Sequence, residues 1–341
     1  MGASYRRGLP HLAAAVDLPG CFGAEPCVEL VRLAERGGLD FVTLDDSLGR
    51  QGPDALGVLS RAAPATRRIG LVPTVTTTRT EPFRVRAAVA TLDRASRGRA
   101  GWRIGVSTGG DEAGEVADLA ARLWDSWEDG AGIRSVPTGR FLDRDKLHRV
   151  DLTGTAFPVR GPSTLPRPPQ GHPVRVVDAT DGPARTVAAR YADVALVRAV
   201  TPAQATAVRE ELRALAVGFG RDPDGLRILV SLLVDLGDGE HAAEPGHGGG
   251  GPRPTVRGPL YRGGPVDLAE LVAGWHADGV TDGFHLVPVD PRRDLERLVN
   301  GTVAVLQHRG LFRTFYPGST LREHLGLARP AGPVRRGRGA P

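Results

Sequence analysis

RIGLVPTVTTTRTEPFRVRAAVATLDRASRGRAGWRIGVS (68–107) decides the fold. RIGLVPTV (68–75) is a short apolar run rich in β-branched residues, the signature of a buried strand. Pro82–Ala95 then carries apolar residues at helical spacing, with Pro82 at a position that suits a first helical turn. AGWRIGVS (100–107) is a second buried run. Strand, helix and strand in this order make a parallel pair with a helical crossover.

The same unit recurs in both directions. Upstream lie strand HLAAAV (11–16), helix Glu25–Arg36 stopped at Gly37-Gly38, strand LDFVTL (39–44) and a helix over 53–63. Downstream, helix Glu112–Trp127 is followed by 128–172, a stretch with six prolines that breaks the rhythm. Alternation resumes with PVRVVDA (173–179), helix 182–191, ADVALVRAV (192–200), helix 202–219 and LRILVSLLVDL (226–236). Helix 265–278, TDGFHLVPV (281–289) and helix 292–308 complete it. Eight strands alternating with about eight helices favour a closed (β/α)8 TIM barrel over an open doubly wound sheet, whose strands are usually fewer. We therefore expect one barrel domain over 1–328, with an excursion at 128–172, a flexible glycine-rich loop at 237–262 and a disordered basic tail at 329–341.

Composition narrows the function. Forty percent hydrophobic and 24% charged residues over 341 positions exclude wholesale disorder. No apolar run reaches the ~18 residues of a membrane span and no basic-then-apolar leader opens the chain, so the expected location is cytoplasmic, with no membrane partner. Cys21 and Cys27 suit neither a disulfide framework nor a zinc knuckle. The 44 basic residues include a single lysine, Lys146. Arginines are scattered among acids without a stripe, so no nucleic-acid partner is expected. The tail RPAGPVRRGRGAP (329–341) reads as a flexible end, or as a contact for an anionic partner.

Barrel chemistry sits where strands end at their C-terminal side. Those ends offer Asp17, Asp45-Asp46-Ser47, Thr74 with Thr76-Thr77-Thr78, Ser107-Thr108, Asp178 with Thr180-Asp181, and His285. Hydroxyls dominate, few groups suit general acid–base work, and no two histidines stand in metal-ligand spacing. This palette suits a large cofactor that brings its own reactivity and excludes a resident metal. Gly105-Val106-Ser107-Thr108-Gly109 also matches the nucleophile elbow of serine hydrolases, with Asp235 and His285 following in triad order. Taken alone, Asp45-Asp46-Ser47 reads first as a capping group and His285 as a buried, satisfied imidazole, with a site role the second reading of each. Trp124 and Trp127 read as packing.

Longer stretches carry a family resemblance. LAERGGLDFVTLDDSLG (33–49), residues 67–102, LWDSWEDGA (123–131), FPVRGPSTLPRPPQGHPV (157–174), GVTDGFHLVPV (279–289) and LQHRGLFRTFYPGSTLREHLGLARP (306–330) resemble luciferase-like flavin-dependent monooxygenases. The branch is the one with nitrilotriacetate and dibenzothiophene-sulfone monooxygenases. The resemblance implies a TIM barrel using reduced FMN (FMNH2) from a separate flavin reductase, which reacts with O2 to give a peroxyflavin that oxygenates a small organic substrate. It also implies association into a homo-oligomer.

By position in the family pattern, Asp46 and Ser47 lie beside the flavin face, Thr74, Thr76 and Thr77 form the hydroxyl-rich end of the third strand, and Ser107 ends the fourth. Thr180 and Asp181 occupy the flavin-phosphate position. Arg103 stands where relatives carry Asn, and is assigned to cofactor binding or to an anionic substrate. His285, where relatives carry Asn, is the one catalytic candidate, as an orienting hydrogen-bonding group. Asp181 places a carboxylate at a phosphate position, with Arg185 as its expected compensation, and the stretch between Ser107 and Leu123 is shortened. These departures keep open a second reading, a non-catalytic barrel serving as a binding or partner subunit. A deazaflavin cofactor, used by a cousin branch, is a third.

Overall fold

The computed structural model describes residues 8–45, 52–76, 82–105, 111–135, 137, 139–153, 158–237 and 251–332. Eight strands are β1 (His11–Ala15), β2 (Phe41–Leu44), β3 (Gly70–Thr76), β4 (Gly101–Gly105), β9 (Val174–Asp178), β10 (Val194–Val197), β11 (Arg227–Asp235) and β13 (Gly283–Pro288). Each pairs in parallel with its neighbours in that order, and β13 pairs back onto β1, so the barrel closes. The helices between them are α1 (Ala24–Arg36), α2 (Ala55–Ala62), α3 (Pro82–Ala95), α4 (Asp111–Trp124), α5 (Gly182–Tyr191), α6 (Pro202–Gly218), α7 (Pro265–Ala277) and α8 (Pro291–Arg297). From α8 the chain passes through a π-helical stretch (Leu298–Val303) into α9 (Ala304–His308). The (β/α)8 expectation holds. No helix among the described residues is long and apolar enough to cross a membrane.

The period of two along each strand sorts its side chains. Ala14, Val42, Leu71 and Trp102 face out and join the helices in one large apolar layer. Ala13, Phe41, Val72, Val176, Val194 and Leu229 belong to a separate interior cluster. That cluster is completed from below by α10 (Leu321–His324): Leu321 and Leu325 enter the N-terminal end of the barrel. Gly70 makes room for this plug, since a Cβ there would meet Leu321 at 2.6 Å. The helix stops also follow the sequence: α1 ends at Gly37, and Gly38 takes the left-handed conformation (φ +73°) that only glycine adopts at low cost.

The excursion at 128–172 contains two antiparallel hairpins, β5 (Gly132–Ser135) with β6 (Arg140–Leu142) and β7 (Asp151–Thr153) with β8 (Pro158–Arg160). Residues 251–262, read from sequence as the end of a flexible loop, instead form a tight hairpin leading into β12 (Leu260–Arg262). β12 pairs with Leu233–Asp235 on β11, beyond the point where β10 stops, and so raises one wall of the barrel mouth. The start of the basic tail is likewise tied down: Arg329 makes two 2.8 Å contacts to Asp129, and Arg167 donates to the carbonyls of Pro330 and Ala331.

Candidate active site at the barrel mouth

Inward-facing positions near the C-terminal strand ends are polar where the layers below are apolar. Thr43 on β2, Thr74 on β3, Arg103 on β4, Ser231 on β11 and His285 on β13 form this ring, which on β2, β3 and β11 lies two residues above the interior cluster. The register sets it: Ala13 and Ser231 flank His285 on either side, and Thr74 lies beside Arg103. Above them Asp17, Asp45, Asp178 and Arg198 rim a cavity of about 180 Å³ whose floor includes His285 and Ser231.

His285 is buried, with Nε2 2.8 Å from Thr43 Oγ1 and Nδ1 3.0 Å from Ser231 Oγ. Burial, and then the charge of Arg103, push its pKa down to about 3, so the ring is neutral through the physiological range. It cannot act as a proton shuttle near neutral pH, and both nitrogens already have hydroxyl partners. Asp235 does not complete a triad with it: that carboxylate binds Arg262 at 2.9 Å and Arg293 at 2.8 Å. The hydrolase reading therefore loses its relay.

Arg103 pairs with Asp45 at 2.8 Å, both side chains being mostly buried. The backbone N–H of Asp45 in turn donates to Asp17 Oδ1 at 2.8 Å, joining the ends of β1 and β2. Thr74 is 4% exposed, and its hydroxyl has no hydrogen-bond partner among the described residues. A buried hydroxyl left bare costs about 1–3 kcal/mol, so Thr74, which lies beside Arg103 but does not itself line the cavity, would gain from a polar partner. Thr76 is described only as the last residue of β3, while Asp46, Ser47, Thr77 and Ser107 lie outside the described residues.

Thr180 donates to Asp178, and Asp178 also meets Arg198 at 3.5 Å. Asp181 caps α5, accepting from the N–H of Ala184 at 2.8 Å. Arg185 does not compensate it, being paired with Glu211 at 2.7 Å. Asp45 was a strand-end candidate from sequence, whereas Thr43, Ser231, Arg198 and the hairpin residue Arg257 were not singled out. Strand alternation carried two faint cues: Thr43 stands two residues after the inward Phe41, and Ser231 is the lone hydroxyl in RILVSLLVD.

A wider cavity of about 950 Å³ opens at the opposite, N-terminal end, between α6, β13 and the C-terminal segment. Its cations are already engaged: Arg209 with Asp282, Arg213 with Asp224 and Arg313 with Asp40, each at 2.8 Å, and Arg227 with the carbonyls of Asp224, Leu325 and Gly326. Barrel enzymes keep their chemistry at the C-terminal strand ends, which makes the smaller mouth the candidate site.

Comparison with known proteins agrees with this geometry. Residues 6–297 match the family model of luciferase-like monooxygenases. The chain belongs to that family. This luciferase-like monooxygenase is 31% identical to the N-acetyl-S-(2-succino)cysteine monooxygenase of Bacillus subtilis, with 89% of each chain covered. It is also 31% identical to nitrilotriacetate monooxygenase component A of Aminobacter aminovorans, over 98% of this chain and 94% of the other. Those alignments span 395 and 437 positions, against 341 residues here, so the relatives carry segments that this chain lacks. The fold matches a riboflavin lyase crystallised with modified FMN and riboflavin, with TM-score 0.79, 20% identity, and 93% and 96% coverage of the two chains. The family is one of flavin-dependent monooxygenases acting on small organic substrates, as the sequence resemblance implies.

Proposed function

We propose that the mouth of this barrel binds reduced FMN delivered by a separate reductase and directs the oxygenation of a small organic substrate by O2, in the cytoplasm and as a homo-oligomer. The observation that carries the reading is the bare, buried hydroxyl of Thr74 at the edge of a polar ring, in a fold whose members use flavin. When bound, reduced flavin supplies the electrons that activate oxygen; the protein's task is binding, orientation and exclusion of water.

The residues divide that task. Thr74 offers its hydroxyl to the cofactor. The Arg103–Asp45 pair fixes charge at the wall without leaving an unpaired ion in a mostly buried place. Neutral His285 ties β2 to β11 through Thr43 and Ser231, giving the cavity a rigid floor. Asp46, Ser47, Thr76, Thr77 and Ser107 remain assigned to the flavin by their place in the family pattern, and Thr180 and Asp181 to its phosphate.

One observation favours the alternative of a non-catalytic partner subunit. At the start of α5, Pro183 lacks an N–H and the Ala184 N–H is taken by Asp181, so the helix end is a poor phosphate seat. Anaerobic titration with reduced FMN, followed by admission of oxygen, separates the two. Micromolar binding with a reoxidation course unlike that of free reduced FMN is the expected result. No binding at hundreds of micromolar overturns the enzyme reading in favour of the partner subunit.

A further inference from the structure

The rim of the mouth treats its cations unequally. Arg103 is locked to Asp45 at 2.8 Å and only 18% exposed. Arg198, at the end of β10, is 42% exposed and reaches Asp178 only at 3.5 Å, while Asp178 already accepts from Thr180. Arg257 occupies the turn of the 251–262 hairpin, exposed and without an acidic partner among the described residues. Both line the cavity that has His285 as its floor.

The hairpin that carries Arg257 is firmly built. Arg253 and Leu260 exchange two backbone bonds of 2.8 Å, Thr255 and Gly258 exchange two of 3.1 Å, and Leu233 on β11 donates to Pro259 at 2.8 Å. Gly258 takes φ +127°, a backbone open to glycine, and lies against the Arg198 side chain, where even a Cβ would come within 3.8 Å. The hairpin thus holds one guanidinium over the cavity and packs against the other.

We propose that Arg198 and Arg257 form an anion clamp at the mouth, and that the substrate is a carboxylate-bearing molecule recognised by it. This rests on the reading of the mouth as the catalytic site. Guanidinium groups pair with carboxylates through two parallel hydrogen bonds, and the pairing gains strength where the cavity excludes water. The other anion to be considered is the flavin phosphate. The cavity lined by the two arginines reaches Ser231 and His285 but not Thr180 or Asp181, which favours the substrate.

The test is calorimetric titration of the wild type, Arg198→Gln and Arg257→Gln. The probes are nitrilotriacetate, succinate, their methyl esters and, separately, reduced FMN. The expected result is binding of at least one acid but of neither ester, at least tenfold weaker in each variant, with reduced-FMN affinity unchanged. Acid binding that is absent, or equal in all three proteins, overturns the clamp while leaving flavin binding to speak for the enzyme. Weakening toward reduced FMN alone assigns the two arginines to the phosphate and overturns the substrate assignment.

Discussion

At the scale of single residues, Asp181 is the most informative departure. Its carboxylate stands at the N-terminus of α5, where a helix end would otherwise attract an anion, and it uses that position to cap the helix itself. Serine caps as well as aspartate but carries no charge. Asp181→Ser is therefore expected to tighten reduced-FMN binding by about tenfold, roughly 1.4 kcal/mol, with little change in stability. A titration showing equal or weaker affinity would place the phosphate elsewhere. Strand alternation brings Arg103 and His285 to the mouth from sequence, because residues two apart share a face. The same rule does not reveal that Thr43 and Ser231 satisfy both imidazole nitrogens, since that requires the register between β2, β11 and β13. Nor does it separate a locked arginine such as Arg103 from a weakly held one such as Arg198.

At the scale of elements, β13 depends on a close approach. A Cβ on Gly283 would fall 2.0 Å from the carbonyl oxygen of His11, a backbone atom that cannot step aside without opening the β1–β13 seam. Gly283→Ala is expected to cost at least about 2–3 kcal/mol, read as a lower denaturant midpoint. An unchanged midpoint would mean that the closing seam is looser than its register implies. The eight barrel strands and their helices were legible in the sequence because each has a continuous apolar run or a clear helical period. The boundaries agree best where chemistry punctuates, as at Pro82, at Pro202 and at the Gly37-Gly38 stop. The hairpins β5–β6 and β7–β8 and the strand β12 were not legible. They have three or four residues each, too few for a period to show, and their strand character comes from pairing partners rather than from local pattern.

At the scale of the whole molecule, buried ionisable groups set the response to acid. His285 has a folded pKa of about 3, below the usual 6.5, so it stabilises the fold above that value and loses the contribution as pH falls toward 3. Burial raises Asp93 to about 6, which works the other way and recovers stability between about pH 6 and 4. The two offset each other between about pH 6 and 4, so stability should decline just below pH 6.5, hold nearly level to about pH 4 and fall again below it. Burial alone would raise Asp40, but Arg313 and His11 hold it at about 2; Arg322 and Arg175 hold buried Asp193 lower still. Those two carboxylates lose their contributions below about pH 4, Asp40 alone accounting for about 2 kcal/mol. Denaturant midpoints measured from pH 8 to 3 should show the early decline in the wild type, and its onset should move toward pH 4 in His285→Gln. An identical slope in both proteins would remove the imidazole from this role.

The closure of β13 on β1, with Leu321 and Leu325 filling the barrel from below, has a consequence for biosynthesis. The ribosome releases β1 well before β13, the strand that covers its free edge, and before the apolar plug beneath it. Until they emerge, the nascent chain therefore displays an unpaired parallel edge and an unfilled interior, the surfaces that chaperones recognise and that drive aggregation when chains crowd. Slow decoding of the codons for residues 283–327 would lengthen that exposure without altering a single residue of the finished protein.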